Sequence, residues 1–197
     1  MTSNRIATII QRVTGGATSG VKGISGSLTK GSMDGIWEIM GDKANDKCFY
    51  DIGASVGHAI FYAALHGARH STGCEFQENS FLGHYFDTVK RELLRDQPTE
   101  ALQTASITFE AFSTVPDDAN IVYTFNKGFD FDTQELIMQQ VRAKQNVELF
   151  VCSKNPFYKK PDDVLAELGD AFRLMGQVKC RMTGSQEHCI MWVFERV

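Results

Sequence analysis

Lys47-Cys48-Phe49-Tyr50-Asp51-Ile52-Gly53-Ala54-Ser55-Val56-Gly57 decides the fold. An apolar run ends in an aspartate and two glycines follow. Ala59, Ile60, Ala63, Ala64 and Leu65 then recur at helical intervals. This is a strand, a tight turn and a helix start. Glycine lets the backbone approach a ligand closely, and a helix N-terminus presents unpaired N–H groups to negative charge. A second acid, Glu75, closes Ser71-Thr72-Gly73-Cys74-Glu75 about 20 residues on, where a dinucleotide-type fold holds ribose hydroxyls. Turn and acid together point to a nucleoside cofactor on an α/β sheet.

A pyrophosphate site requires G-x-G-x-x-G, whereas this turn reads D-x-G-x-x-x-G, with Ser55 in place of a middle glycine. The charge of Asp51 would repel a diphosphate and suits a cationic amino-acid group. The run resembles motif I of S-adenosylmethionine-dependent methyltransferases. The resemblance implies that Asp51, Gly53, Ser55 and Gly57 hold the methionine end of the cofactor and Glu75 its ribose. A plain strand–turn–helix with a structural aspartate is the alternative.

Outward from this stretch, Asn79 or Ser80 caps a helix with Phe81, Leu82, Tyr85, Phe86, Val89 and Leu93 on one face, ending before Pro98. Ser106–Glu110 reads as a third strand ending in an acid, which the resemblance sets against the adenine amine. Phe76 and Phe112 join the cofactor residues; the face of Phe112 suits an adenine ring, and ordinary core packing is its alternative. Residues 120–126 and 147–152 are the fourth and fifth strands. Asp132, with Glu135 three on, forms a capping box for the helix between them. Pro161, Asp162 and Asp163 open a helix over 161–175, with Val164, Leu165, Leu168, Phe172 and Met175 as its stripe. Strands 177–183 and 188–195 close the chain through a turn at 184–187. The pattern predicts a doubly wound, mostly parallel seven-stranded α/β sheet with a C-terminal antiparallel hairpin. That is the Rossmann-like sheet of class I methyltransferases.

The 197 residues suffice for one domain with a sizeable core, and 43% hydrophobic content with 22% charge is that of a globular chain. No apolar run approaches the ~20 residues of a membrane span, so no membrane partner is expected. Five cysteines without a C-x-x-C pair read as buried free thiols in a reducing compartment, and no metal site is expected. Histidines 58, 66, 70 and 84, four of the five, lack ligand spacing and read as structural. Residues 1–33 hold Arg5, Arg12, Lys22 and Lys30 and no acid, so the remainder carries −8 of the net −4. A body of that sign is not built for broad phosphate-backbone contact. Residues 1–35 open with a short amphipathic piece over 5–13, continue rich in Gly, Ser and Thr, and divide from the cofactor-binding domain at 36–197. Three readings of that segment stand: a mobile arm, an organelle transit peptide, or a lid over the cofactor. A short helix over 34–40 leads into the first strand.

Three short pieces are similar to the disruptor-of-telomeric-silencing family of histone lysine methyltransferases. Asp51–Gly57 matches its D-L-G-S-G-V-G, Phe125-Asn126-Lys127-Gly128-Phe129 its N-N-F-A-F-like turn, and Cys152-Ser153-Lys154-Asn155-Pro156-Phe157 its S-S-K-P-F. The resemblance implies S-adenosylmethionine as cofactor, a protein lysine as acceptor, a histone or nucleosome as partner, and a nuclear location. It sets Asn126 and Phe129 in the catalytic channel; apart from the resemblance, Phe157 and Tyr158 are expected to join Phe129 in an apolar pocket for a neutral nucleophile. Two departures stand out: Phe125 replaces an asparagine, and Lys127 replaces a channel aromatic. A methyltransferase for nucleic acid or a small molecule, and a non-catalytic module of the same fold, are the alternatives.

Overall fold

The computed structural model describes residues 3–14, 27–183 and 188–197. Along the chain, α1 (Ser3–Thr14) and α2 (Lys30–Met40) precede β1 (Cys48–Ile52), α3 (His58–Leu65), β2 (His70–Glu75), α4 (Leu82–Asp96), α5 (Glu100–Thr104) and β3 (Ser106–Phe109). There follow β4 (Ile121–Thr124), α6 (Phe131–Ala143), β5 (Leu149–Ser153), α7 (Pro161–Leu168), β6 (Phe172–Arg181) and β7 (His188–Arg196). The seven strands form one mostly parallel sheet, as the pattern predicts, in the order β3-β2-β1-β4-β5-β7-β6. β7 alone runs antiparallel to its neighbours, β5 and β6.

Every residue of β1, β4 and β5 is buried, which is why these strands read as unbroken apolar runs: helices cover both faces. The edge strand β3 alternates in exposure instead. One core packs Ile6, Met33, Ile60 and Phe86 against the sheet; the other packs Ile137, Met138 and Val164 on the opposite face. The chain leaves β1 toward β2 and β3, then returns to the other side of β1 as β4. Ligands of open α/β sheets bind at such a reversal, outside the carboxyl ends of the strands.

Five expectations change. Within the described part of 1–35, the chain is folded rather than a free arm. Ile6, Ile9 and Ile10 of α1 are buried, and Arg5 and Arg12 pair with Asp96 and Glu92 of α4. The helix expected at 34–40 begins four residues earlier, at Lys30. Residues 15–26, where the Gly/Ser-rich reading was centred, and the turn at 184–187 lie outside the described residues. The helix expected over 161–175 stops at Leu168 because Gly169 takes a φ of 69°. Phe172 and Met175 therefore belong to β6, and Phe172 packs under the Arg196 guanidinium, 4.5 Å from its ring centre. The cap of α6 is Asp130, whose carboxylate accepts the Thr133 N–H at 2.8 Å, so the helix starts before Asp132. Nor does Asn79 or Ser80 cap α4: Asn79 sits in a short turn and donates to Glu75. All five cysteines are buried and unbridged.

Candidate functional site

The turn after β1 has the backbone that its glycines imply. Gly53 and Gly57 adopt φ of 83° and 82°. Ser55 also lies in the left-handed region, at φ 50°, a position that costs a non-glycine residue about 1–2 kcal/mol. Its compensation is local: the Ser55 N–H donates to Glu75 Oε2 at 2.7 Å. Glu75 Oε1 accepts from the Phe76 N–H and from Asn79 Nδ2, both at 2.9 Å. These donors clamp the carboxylate at the end of β2, tying it to the turn of β1. A carboxylate has about four lone-pair sites, so Glu75 keeps capacity for a ligand hydroxyl.

The structure brings Gly53, Glu75, Phe76, Glu110 and Phe112 to one cleft across the ends of β1, β2 and β3. It is narrow, about 60 Å³, because the ring of Phe129 lies on Gly53. A Cβ added to Gly53 would stand 2.6 Å from Phe129 Cζ. Small-molecule sites span about 300–1,000 Å³. The cleft is thus closed, with Phe129 and Phe76 meeting edge to face at 6.4 Å across it.

On the other side of Gly53 lies a cavity of about 30 Å³, walled by Asp51, Ser55, His58, Tyr123, Phe125 and Leu28. Two of its polar atoms are buried without a hydrogen-bond partner, Asp51 Oδ1 and His58 Nε2. Burial, and then the charge of Glu75, raise the Asp51 carboxyl well above the usual carboxylate range. Burial alone pushes His58 down to about 4, so its ring is neutral. An unpaired buried carboxyl oxygen facing a space is the feature expected of a seat for an ammonium group. Leu28 reaches this wall because residues 27–32 are stitched to the end of β6. The Thr29 N–H donates to Arg181 O at 2.9 Å and the Thr183 N–H to Ser27 O at 2.8 Å.

Gly57 stands apart from both cavities, under Phe86. Asn126 also lines neither. It is fully buried, its Nδ2 donates to Gln134, and its Oδ1 accepts from the Ser153 N–H and Oγ at 3.0 and 2.9 Å. Asn155 extends this network to Gln134 at 3.1 Å. The amide expected to guide a nucleophile instead joins the ends of β4 and β5 to α6. Phe157 is exposed against Phe131, and Tyr158 is buried in the core, so neither joins Phe129 in a channel.

A third and larger pocket, about 710 Å³, opens at the ends of β5, β6 and β7 beside Lys127. Sequence reading missed it, since its wall is assembled by strand register. It read His58 as structural; the structure places it, buried, in the wall of the Asp51 cavity as the first residue of α3.

A scan against protein-family models and a search of the curated proteins found no match. Solved structures do match in fold. The magnesium protoporphyrin IX methyltransferase of Synechocystis PCC 6803 with bound S-adenosylmethionine superimposes with a TM-score of 0.61 at 12% identity, covering 97% of this chain and 91% of that one. A candidate RNA methyltransferase of Pyrococcus horikoshii gives 0.59 at 13%, over 98% and 96% of the two chains. A glycopeptide N-methyltransferase gives 0.56 at 13%, over 84% and 96%. The chain has the class I methyltransferase fold.

Proposed function

We propose that this protein is an S-adenosylmethionine-dependent methyltransferase. One observation carries the reading: Gly53, Glu75, Phe76, Glu110 and Phe112, scattered over three strands, converge on one cleft at the reversal of the sheet. The residues suit the cofactor. Glu75 is held ready for ribose hydroxyls, Glu110 stands where an adenine amine would be met, and Phe76 and Phe112 offer apolar faces. The unpaired oxygen of Asp51 lies just past Gly53, as a cationic methionine end requires. When bound, S-adenosylmethionine supplies an electrophilic methyl group. The chain's own tasks are orientation and exclusion of water, and Phe129 must leave Gly53 for the cofactor to enter.

The resemblance argues for a protein lysine as acceptor, with histone partner and nuclear location resting on it alone. The pocket wall argues otherwise. Lys127 replaces an aromatic of the family's channel and lines the large pocket with two further lysines. Like charges about 4 Å apart cost on the order of 1 kcal/mol in water and more in a drier site, so a protonated lysine is disfavoured there.

Calorimetry with S-adenosylhomocysteine, S-adenosylmethionine and NAD tests the proposal. The first two are expected to bind and NAD is not. Glu75→Gln should weaken binding by roughly 1.5–3 kcal/mol for each charge-assisted bond lost. Tighter binding of NAD, or no binding of either sulfur ligand, would overturn the cofactor assignment.

A further inference from the structure

We propose that the pocket of about 710 Å³ is the acceptor site and that its occupant is a small organic anion, bearing a carboxylate or a phosphate. The inference rests on the methyltransferase reading and adds the chemistry of the acceptor.

Its wall is built by the antiparallel strands. Ile190 of β7 is the register partner of Lys179 on β6, and its carbonyl accepts the Lys154 N–H at 2.8 Å from the end of β5. Lys154 and Lys179 therefore flank Ile190 from the two neighbouring strands. Adjacent strands lie about 4.8 Å apart, which spaces the two backbones at roughly twice that. Lys127, which has a partner of its own, lines the pocket from the turn after β4. His188 completes the rim; Arg181, its register partner, donates to its Nε2 at 2.9 Å. Burial and the charges of Lys179 and Arg181 all lower the pKa of His188, as a positive potential should. Among the described residues no carboxylate lines the pocket, while Pro156 and Ile190 supply apolar surface.

Lys154 and Lys179 stand together in a chain of net charge −4. A local cluster of cations in an acidic protein concentrates small anions at one place, without the extended basic surface that tracks a nucleic-acid backbone. The volume agrees, falling within the range of about 300–1,000 Å³ for small-molecule sites. Location agrees too. Lys127 follows Phe125 by two residues, and Phe125 walls the cavity of Asp51 where the methionine end is proposed to sit. One stretch of three residues after β4 thus lines both the pocket and the cavity of Asp51.

Calorimetry on the full chain with saturating S-adenosylhomocysteine tests the inference with four probes: naphthyl phosphate, naphthoate, naphthylmethylamine and a poly-uridine oligonucleotide. At least one naphthyl anion is expected to bind, and the preferred anion tells phosphate from carboxylate. The double variant Lys154→Glu/Lys179→Glu is expected to weaken that anion about tenfold or more while leaving S-adenosylhomocysteine affinity unchanged, which also reports that it is folded. Four results would overturn the inference: neither anion binds, the amine binds as well as the anions, the double variant binds them undiminished, or poly-uridine binds more tightly than both. Should S-adenosylhomocysteine fail to bind while the anions respond to the lysines, the cofactor reading fails and the anion pocket stands.

Discussion

Replacing Asp51 by asparagine should make the protein more stable and a poorer binder of its cofactor. The carboxyl is 3% exposed, and its Oδ1 has no partner. Around it stand His58, held neutral by burial, Tyr123, whose phenol burial also keeps neutral, and the carboxylate of Glu75, which opposes a second negative charge. The folded carboxyl therefore titrates above the unfolded value of about 3.9. With that sign, its contribution to stability is fully present below about pH 4 and is lost as pH rises through the folded value. Asp51→Asn removes the loss, so the variant's Tm at neutral pH should exceed that of wild type. An arriving ammonium group reverses the balance and draws the carboxyl into its ionised form. Wild type should thus release a proton on binding S-adenosylmethionine at pH values below the raised value, and affinity should climb with pH there. The asparagine loses a charge-assisted hydrogen bond of about 1.5–3 kcal/mol, which corresponds to roughly 10- to 150-fold in Kd. Titration calorimetry in two buffers of different ionisation enthalpy measures both affinity and proton release, and thermal melts supply Tm. General damage would lower Tm and affinity together. Unchanged affinity in the variant, with no proton released by wild type, would refute the role given to Asp51.

Three other outcomes follow from the same geometry. Gly53→Ala should destabilise by more than the roughly 1–2 kcal/mol of a left-handed non-glycine residue, since its Cβ also meets Phe129 at 2.6 Å; Phe129→Ala in the same chain should relieve the steric part, and a denaturant double-mutant cycle reads the coupling. Asn126→Ala should cost about 1–3 kcal/mol for each buried group it strands, at Ser153 and Gln134, measured by urea unfolding. His58 titrates below its unfolded value of about 6.5, so it contributes stability above that pH that is lost as pH falls through about 4. Melts of His58→Gln should therefore lose less Tm than wild type over that interval.

The cofactor cleft was legible because its signals are local. A strand that must end at Asp51, turn through Gly53 and start a helix after Gly57 leaves its mark within eleven residues, and Glu75 follows one helix later. The buried parallel strands were legible for a related reason, since burial on both faces writes an unbroken apolar run. The amphipathic stripe of Ile6, Ile9 and Ile10 was legible but the docking of α1 was not, because the surface it covers belongs to α4, far along the chain. Likewise, Phe172 and Met175 fit a helical stripe equally well, and only the positive φ of Gly169 sends them into β6. Asn126 shows the limit of short resemblances: its neighbours match, yet its amide is bonded to Gln134 and Ser153 within the fold. Lys154 and Lys179 gave no signal at all. They meet across Ile190 only because β7 runs antiparallel between their strands.

The ring of Phe129 on Gly53 has a kinetic consequence. Where a site must open before its ligand enters, only the open fraction of molecules is receptive at any instant. The observed association rate constant is then the intrinsic one scaled by that fraction, and the apparent Kd rises by the same factor. Dissociation is governed by the bound state and is untouched. A receptive fraction of about 1% would slow capture about a hundredfold and leave residence time as it was. Trimming the ring with Phe129→Ala should therefore raise the association rate and the affinity by one common factor. Stopped-flow traces with S-adenosylhomocysteine would display this as faster binding phases that share one off-rate.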